Sequence, residues 1–190
     1  MKRSTPTRRH VQPAAPRAAL TLVLLLLAGL ALYATQSFAE APVIPQYGPD
    51  KHEGVSSCDG STCHGSAAPR NDRNVRQDEY LIWTEEDRHS QRAYKVLLNR
   101  DSIRISKNLG RKKKPHQDNL CLDCHSDNPP PDKRRSENNA FTVTDGVGCE
   151  GCHGGAERYL RPHDSGSSHQ KNIELGMFPT DDPVARTRLC

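Results

Sequence analysis

The chain has little material for an ordinary hydrophobic core. Aromatic residues make up 5% of its 190 residues, and mean hydropathy is −0.81. From residue 40 onward Pro, Gly, Asp and Asn are frequent, and no segment has the alternating pattern of a convincing strand. Side chains alone would therefore bury too little apolar surface, and we expect another source of apolar mass.

A strong excess of one charge is also missing. Lys and Arg number 27 against 23 Asp and Glu. Five of the cations and none of the acids lie in the first 39 residues, so a chain without that segment would have a formal charge of −1. This balance removes the electrostatic argument for a nucleic-acid partner.

Cysteine, in contrast, is concentrated in a pattern. Three times two cysteines are followed directly by a histidine, at Cys58/Cys63/His64, Cys121/Cys124/His125 and Cys149/Cys152/His153. A closely spaced thiol pair can add across the two vinyl groups of one porphyrin, and the adjoining imidazole then reaches the iron. The motifs predict three covalently bound haems c, with the six cysteines as attachment sites and the three histidines as proximal iron ligands.

The first motif is wider than the other two. Four residues, and not two, separate Cys58 from Cys63. All four are turn formers, and Gly60 can adopt a positive φ without steric cost. We therefore expect the extra residues to bulge away from the porphyrin edge.

Two other interpretations use the same cysteines. Zinc could bind four sulfurs in a tetrahedral site formed by Cys121, Cys124, Cys149 and Cys152. A disulfide framework is reasonable for an exported chain. Neither explains why a histidine follows the second cysteine each time, so haem attachment is the favoured hypothesis.

Second axial ligands must come mainly from histidine. Of the two methionines, Met1 belongs to the leader and Met177 is the other. A predicted helix over residues 85–99, with Thr84 as N-cap, places His89 on the face of Ala93 and Val96. This ranks His89 first among the candidate distal ligands, which in order are His89, His169, His163, His116 and His52.

The remaining pattern predicts short helices and long loops. We expect helices over residues 102–109 closed by Gly110, after Pro115 up to residues 121–125, near 156–160, and over 169–175 ended by Gly176. Residues 141–144 are at most a short extended piece before a turn. The fold class is mainly α with extensive irregular structure, a small multihaem cytochrome c domain built around its haems.

The first 39 residues predict a signal peptide. Basic residues precede an apolar run over residues 18–34, and Ser37-Phe38-Ala39 offers a cleavage site. The mature domain would be residues 40–190, exported to the periplasm, where haem attachment takes place. An uncleaved membrane anchor through residues 18–34 is the alternative.

The stretch from Asp145 to Glu157, with the Trp83 to His89 segment, resembles the exported tetrahaem cytochromes c related to the electron acceptors of hydroxylamine oxidoreductase. The resemblance covers roughly residues 55–190. It implies closely packed haems with two histidine ligands or one open position, and periplasmic electron transfer. The family usually has four haems, so we expect Cys190, after a helix led by Pro183, to begin a fourth site in a longer parent chain.

The sequence thus predicts an electron carrier between exported or membrane-bound redox proteins, with no nucleic-acid partner. Two basic clusters, residues 111–114 and 133–135, are either solvated loop charge or contacts to haem propionates or an acidic partner. One functional alternative is a haem enzyme that acts on nitrite, nitric oxide or hydroxylamine at an open iron position. The other is a structural zinc protein.

Overall fold

The computed structural model describes residues 44–135, 137 and 140–189. The predicted leader, its anchor alternative and Cys190 lie outside these residues. Eight short α-helices, α1 to α8, occur in the described part of the chain. They are Glu79–Glu85, Arg88–Gln91, Arg100–Asn108, Asn119–His125, Glu150–His153, Leu160–Asp164, His169–Glu174 and Pro183–Arg186.

Single turns of 3₁₀ helix connect several of these helices, at Pro45–Tyr47, Val55–Ser57, Lys95–Leu98, Pro115–Gln117, Pro131–Lys133 and Val143–Asp145. The described residues contain no strand, and one isolated parallel bridge joins His52 to Arg134. The predicted fold class, mainly α with much irregular structure, is confirmed. None of the described helices is long and apolar enough to span a bilayer.

Two helices agree with their predicted ranges, 102–109 and 169–175, within two residues at each end. Helix α3 begins where the Asn99 side chain accepts a hydrogen bond from Ser102 N at 2.8 Å, and Gly110 follows its end with a φ of +66°. Helix α7 begins at Ser168, whose hydroxyl accepts from Lys171 N at 3.2 Å, and ends before Gly176. The predicted helix that begins after Pro115 and contains residues 121–125 is also confirmed, as α4.

The predicted helix over residues 85–99 is wrong. The chain forms α1, then α2, then the 3₁₀ turn Lys95–Leu98. Thr84 is not an N-cap, because its hydroxyl donates to Tyr80 O within α1. Asp87 interrupts the helix by accepting a hydrogen bond from His89 N at 2.9 Å and so starts α2, which is the known competition of Asp side chains with helix continuation.

Two further helix boundaries are wrong. The helix expected over residues 156–160 is α6, Leu160–Asp164, and residues 157–159 form a turn before it. The helix led by Pro183 ends at Arg186. Residues 143–145 form a 3₁₀ turn that ends at Gly146, so only the turn of that segment is confirmed.

The interior of the described residues is more polar than apolar. Six hydrophobic side chains are buried, against eleven polar or charged ones. Nine large hydrophobic side chains are exposed, among them Leu98, Ile105, Leu109 and Leu120. This composition agrees with the expectation that the chain cannot form its core from its own side chains alone.

Candidate cofactor-attachment site

The second and third motifs lie on helices. Cys121 and Cys124 are three residues apart on α4 and therefore share a face, and His125 is the last residue of that helix. In the third motif Cys149 is the N-cap residue of α5, and Gly154, with a φ of +82°, ends the helix directly after His153. Each motif thus offers two sulfurs and an imidazole from about one helical turn.

The first motif is a closed turn. Cys63 N and Gly65 N both donate to Gly60 O, at 2.8 and 3.0 Å, and His64 N donates to Cys58 O at 3.2 Å. The four residues between the cysteines thus form a turn, and the expected positive φ at Gly60 is not observed. Gly65 is the glycine that the geometry requires, because a Cβ there would lie 1.9 Å from Asp59 O.

The described cysteines favour neither of the two competing interpretations. Cys58, Cys63, Cys121, Cys124 and Cys149 form no disulfide. The four sulfurs that a zinc site would need do not converge, because the one group of three or more metal-ligating side chains in the described chain contains no cysteine.

Two of the attachment cysteines lie side by side. The half-buried Cys58 thiol donates a hydrogen bond to Cys149, and this bond, followed by burial, raises the pKa of Cys58. The same bond lowers the pKa of Cys149. The first cysteine of the first motif therefore contacts the first cysteine of the third motif.

The imidazoles of His64 and His163 form a parallel pair. Their ring centroids are 6.1 Å apart, and their planes differ by 2°. His64 comes from the first motif, and His163 comes from α6, about one hundred residues later in the chain. The fold thus brings one predicted proximal ligand and one predicted distal ligand together.

Each ring of this pair is oriented through its Nδ1 atom. His64 Nδ1 lies 3.0 Å from Glu79 Oε2, and His163 Nδ1 lies 3.3 Å from Asn172 Nδ2. Asn172 Oδ1 is buried without a partner among the described residues, and exchanging the amide oxygen and nitrogen would let Oδ1 accept the Nδ1 proton. In both rings Nε2 is then the atom left to bind a metal.

The interaction with His64 also affects Glu79. Burial opposes ionisation of this carboxyl, but hydrogen bonds from His64 and from backbone N–H groups lower its pKa. Glu79 is therefore an anionic acceptor that holds the first proximal histidine in one orientation.

His153 and His163 share one electrostatic environment. Both side chains are exposed, and the pKa of each is lowered, first by desolvation and then through the nearby His64. Gly154, which follows His153, lines a cleft of about 290 Å³ together with Met177 and Phe178. The donor set of each motif, two thiols and one imidazole, fits covalent attachment of haem.

The other predicted ligands have separate environments. His125 Nδ1 donates to Ala93 O at 2.9 Å, which orients the second proximal histidine. His89 is exposed, and its Nδ1 lies 2.9 Å from Asp87 Oδ1. His169 Nε2 lies 3.1 Å from Asp181 Oδ1, and His116 is half-buried after the 3₁₀ turn begins at Pro115.

His52 is fully buried, and its environment was not predicted. Its Nδ1 lies 2.7 Å from Asp127 Oδ2, and Glu150 completes a buried group of three side chains. Burial alone would lower the pKa of His52, but the hydrogen bond and charge of Asp127 raise it overall. Sequence reasoning missed Asp127 and Glu150, because each lies beside a haem motif but in no pattern of its own.

The chain was compared with protein families, curated proteins and solved structures. The family model described as cytochrome c554 and c-prime matches residues 57–154, which is just over half of the chain and includes all three motifs. No curated protein and no solved structure matches the chain.

Proposed function

This chain belongs to the cytochrome c554 and c-prime family, and on that basis we propose that it transfers electrons in the periplasm through three covalently bound haems. Family membership supports haem c and electron transfer. The three motifs support the number of haems, and the leader of residues 1–39 supports the compartment. Bound haem supplies the reversible one-electron chemistry of its iron.

The contact between Cys58 and Cys149 carries the electron-transfer proposal. Each of these sulfurs would bind the edge of a different porphyrin, through the first and the third motif. Two thioether sulfurs in contact would bring the two porphyrin edges close together. Such closeness supports a path for electrons within the chain, as the resemblance to multihaem cytochromes also implies.

His64 and His163 are the proposed axial pair of the first haem. When two imidazoles bind one metal ion between them, each with a metal–nitrogen distance of about 2 Å, their ring centres lie about 6 Å apart. The observed 6.1 Å and the parallel planes agree with this arrangement. Glu79 and Asn172 would hold the two rings in place through Nδ1.

His125 and His153 are the proposed proximal ligands of the second and third haems. His89, ranked first among the distal candidates, is the proposed distal ligand of the third, because its carbonyl accepts a hydrogen bond from Val147 N at 3.1 Å, two residues before Cys149. His169, ranked second from the sequence, and His116, ranked fourth, stay predictions. His52 ranks last, since its ring belongs to the buried group with Asp127 and Glu150.

Exported or membrane-bound redox proteins are the proposed partners. The basic cluster at residues 133–135 is engaged within the protein: Lys133 binds Pro49 O, Arg134 binds Asn128, and Arg135 pairs with Glu53. The cluster at residues 111–114 differs, because the side chains of residues 112–114 are exposed beside the exposed apolar residues of α3. This surface is suited to an acidic partner.

Haem stoichiometry tests the proposal. The full chain, matured in a host with a c-type haem attachment system, should contain three haems by pyridine haemochrome assay and by mass of the acid-denatured protein. Two haems would show that the widened first motif is not processed. A colourless protein, with or without zinc, would overturn the proposed function.

A further inference from the structure

A buried acidic group lies behind the third motif. His52, Asp127 and Glu150 are exposed by 0%, 5% and 2%, and their potential ligand atoms all lie within 4.8 Å of one another. No attachment or axial role is assigned above to either carboxylate. Burying two carboxylates is unfavourable unless their charge is compensated or used.

The contacts of Glu150 favour its ionised form. Oε1 accepts hydrogen bonds from Glu53 N at 2.8 Å and Ala156 N at 2.7 Å, and Oε2 accepts one from Gly54 N at 2.7 Å. All three partners are donors, so a carboxyl proton would find no acceptor among them. Burial is the largest influence and leaves the pKa of Glu150 raised overall, while these N–H groups and His52 offset part of the rise.

Asp127 is the second buried carboxyl group. Its Oδ2 lies 2.7 Å from His52 Nδ1, and its Oδ1 is buried without a partner among the described residues. His52 can balance one carboxylate when it is protonated. Arg134 attracts Asp127 electrostatically but hydrogen-bonds Pro129 O and Asn128 Oδ1, and not these carboxylates.

This charge lies between two attachment sites. Glu150 follows Cys149 directly in the chain, and its partner Gly54 precedes the 3₁₀ turn Val55–Ser57 that leads into Cys58. Asp127 N donates to Gly146 O at 2.8 Å, three residues before Cys149. The carboxylates are therefore fixed close to the third motif, and Glu150 also contacts the segment that leads into the first.

We propose that the buried carboxylates of Glu150 and Asp127 lower the reduction potential of the haem attached through Cys149 and Cys152. The inference rests on the haem assignment made above. Reduction adds one electron to a ferric iron and forms or breaks no bond, so the iron centre loses one unit of positive charge. A nearby anion stabilises the more positive ferric state, and burial keeps that effect from being screened by water and salt.

The test is a spectroelectrochemical titration of the three-haem protein with dithionite and ferricyanide as reductant and oxidant, combined with electron paramagnetic resonance to follow each ferric signal. In Glu150→Gln at least one haem should shift to a higher midpoint potential. Glu157→Gln is the matched control, because Glu157 is exposed and accepts one backbone hydrogen bond, from Lys51 N at 3.0 Å. The control should retain the potentials of the parent.

Asp127→Asn provides a second, independent variant. Its amide oxygen can keep the bond to His52, and its amide nitrogen would occupy the place of the unpartnered Oδ1. This variant should fold with three haems even where Glu150→Gln is unstable, and it should shift a potential in the same upward direction. Three haems with parent potentials, or with a downward shift, would overturn the inference and leave the proposed function intact. Absence of haem in the parent protein would instead overturn the proposed function.

Discussion

At the scale of single residues, the motif gives the proximal ligands but not the groups that orient them. His64, His125 and His153 could be predicted because each follows its attachment cysteine directly. Their Nδ1 partners come from elsewhere: Glu79 is fifteen residues from His64, and the carbonyl that accepts from His125 belongs to Ala93. Only the folded chain brings these groups together, so no spacing rule could have found them.

His163 gives a direct test at this scale. Replacement by Ala should remove one axial ligand, because its ring is parallel to that of His64 at 6.1 Å. We expect a new high-spin ferric signal from one iron by electron paramagnetic resonance, with the haem count unchanged.

Arg161→Ala is the matched control for this variant. Arg161 is an exposed residue of the same helix, α6, but its side chain has no imidazole to bind iron. Its spectrum should equal that of the parent. Identical spectra for His163→Ala and the parent would remove His163 from the axial ligands.

At the scale of helices, local sequence signals predicted that a helix exists more reliably than they predicted where it begins and ends. The predicted helix over residues 102–109 agrees with α3 within two residues at each end, because the left-handed Gly110 ends the helix locally. The predicted 85–99 helix failed because Asp87 caps a new helix in competition with the old one. Because that helix does not form, the argument that placed His89 on its apolar face no longer holds.

The ion pair that precedes α4 has a predictable pH dependence. Arg111 Nε and Nη2 bind the buried Asp118 at 2.7 and 2.8 Å, and this hydrogen bonding lowers the pKa of Asp118. A lowered folded-state pKa stabilises the fold above the unfolded value of about 3.9 and loses this effect as the pH falls through the folded-state value.

Asp118→Asn should therefore be less stable than the parent at neutral pH. The difference should shrink below about pH 4, as measured by urea unfolding across the pH range. Asn is itself a good N-cap, so the substitution isolates the charge from the cap. Asp101→Asn is the control, because Asp101 and Arg104 form an exposed pair. A difference from the parent that does not change with pH would argue against the ion pair.

At the scale of the whole molecule, the composition predicted that few apolar side chains would be buried, and the structure confirms this for the described residues. Six hydrophobic side chains are buried among the described residues, while Leu98, Ile105, Leu109 and Leu120 are exposed near the second motif. Three porphyrins would add the missing apolar surface, and covalent attachment would link segments that are distant in sequence. Folding and haem attachment should then be one coupled process.

This coupling predicts that the haem-free chain does not form a stable fold. The chain made without a haem attachment system should show no cooperative thermal transition by circular dichroism and should be digested rapidly by a protease that leaves the three-haem protein intact. A second haem-free variant with all six motif cysteines replaced by Ala removes any disulfide that Cys58 and its neighbour Cys149 could form.

Replacing only Cys121 and Cys124 should loosen α3 and α4 while the His64 and His163 signals persist, because those rings lie on other elements. A cooperative transition in the cysteine-free chain would show that its polar interior suffices without haem.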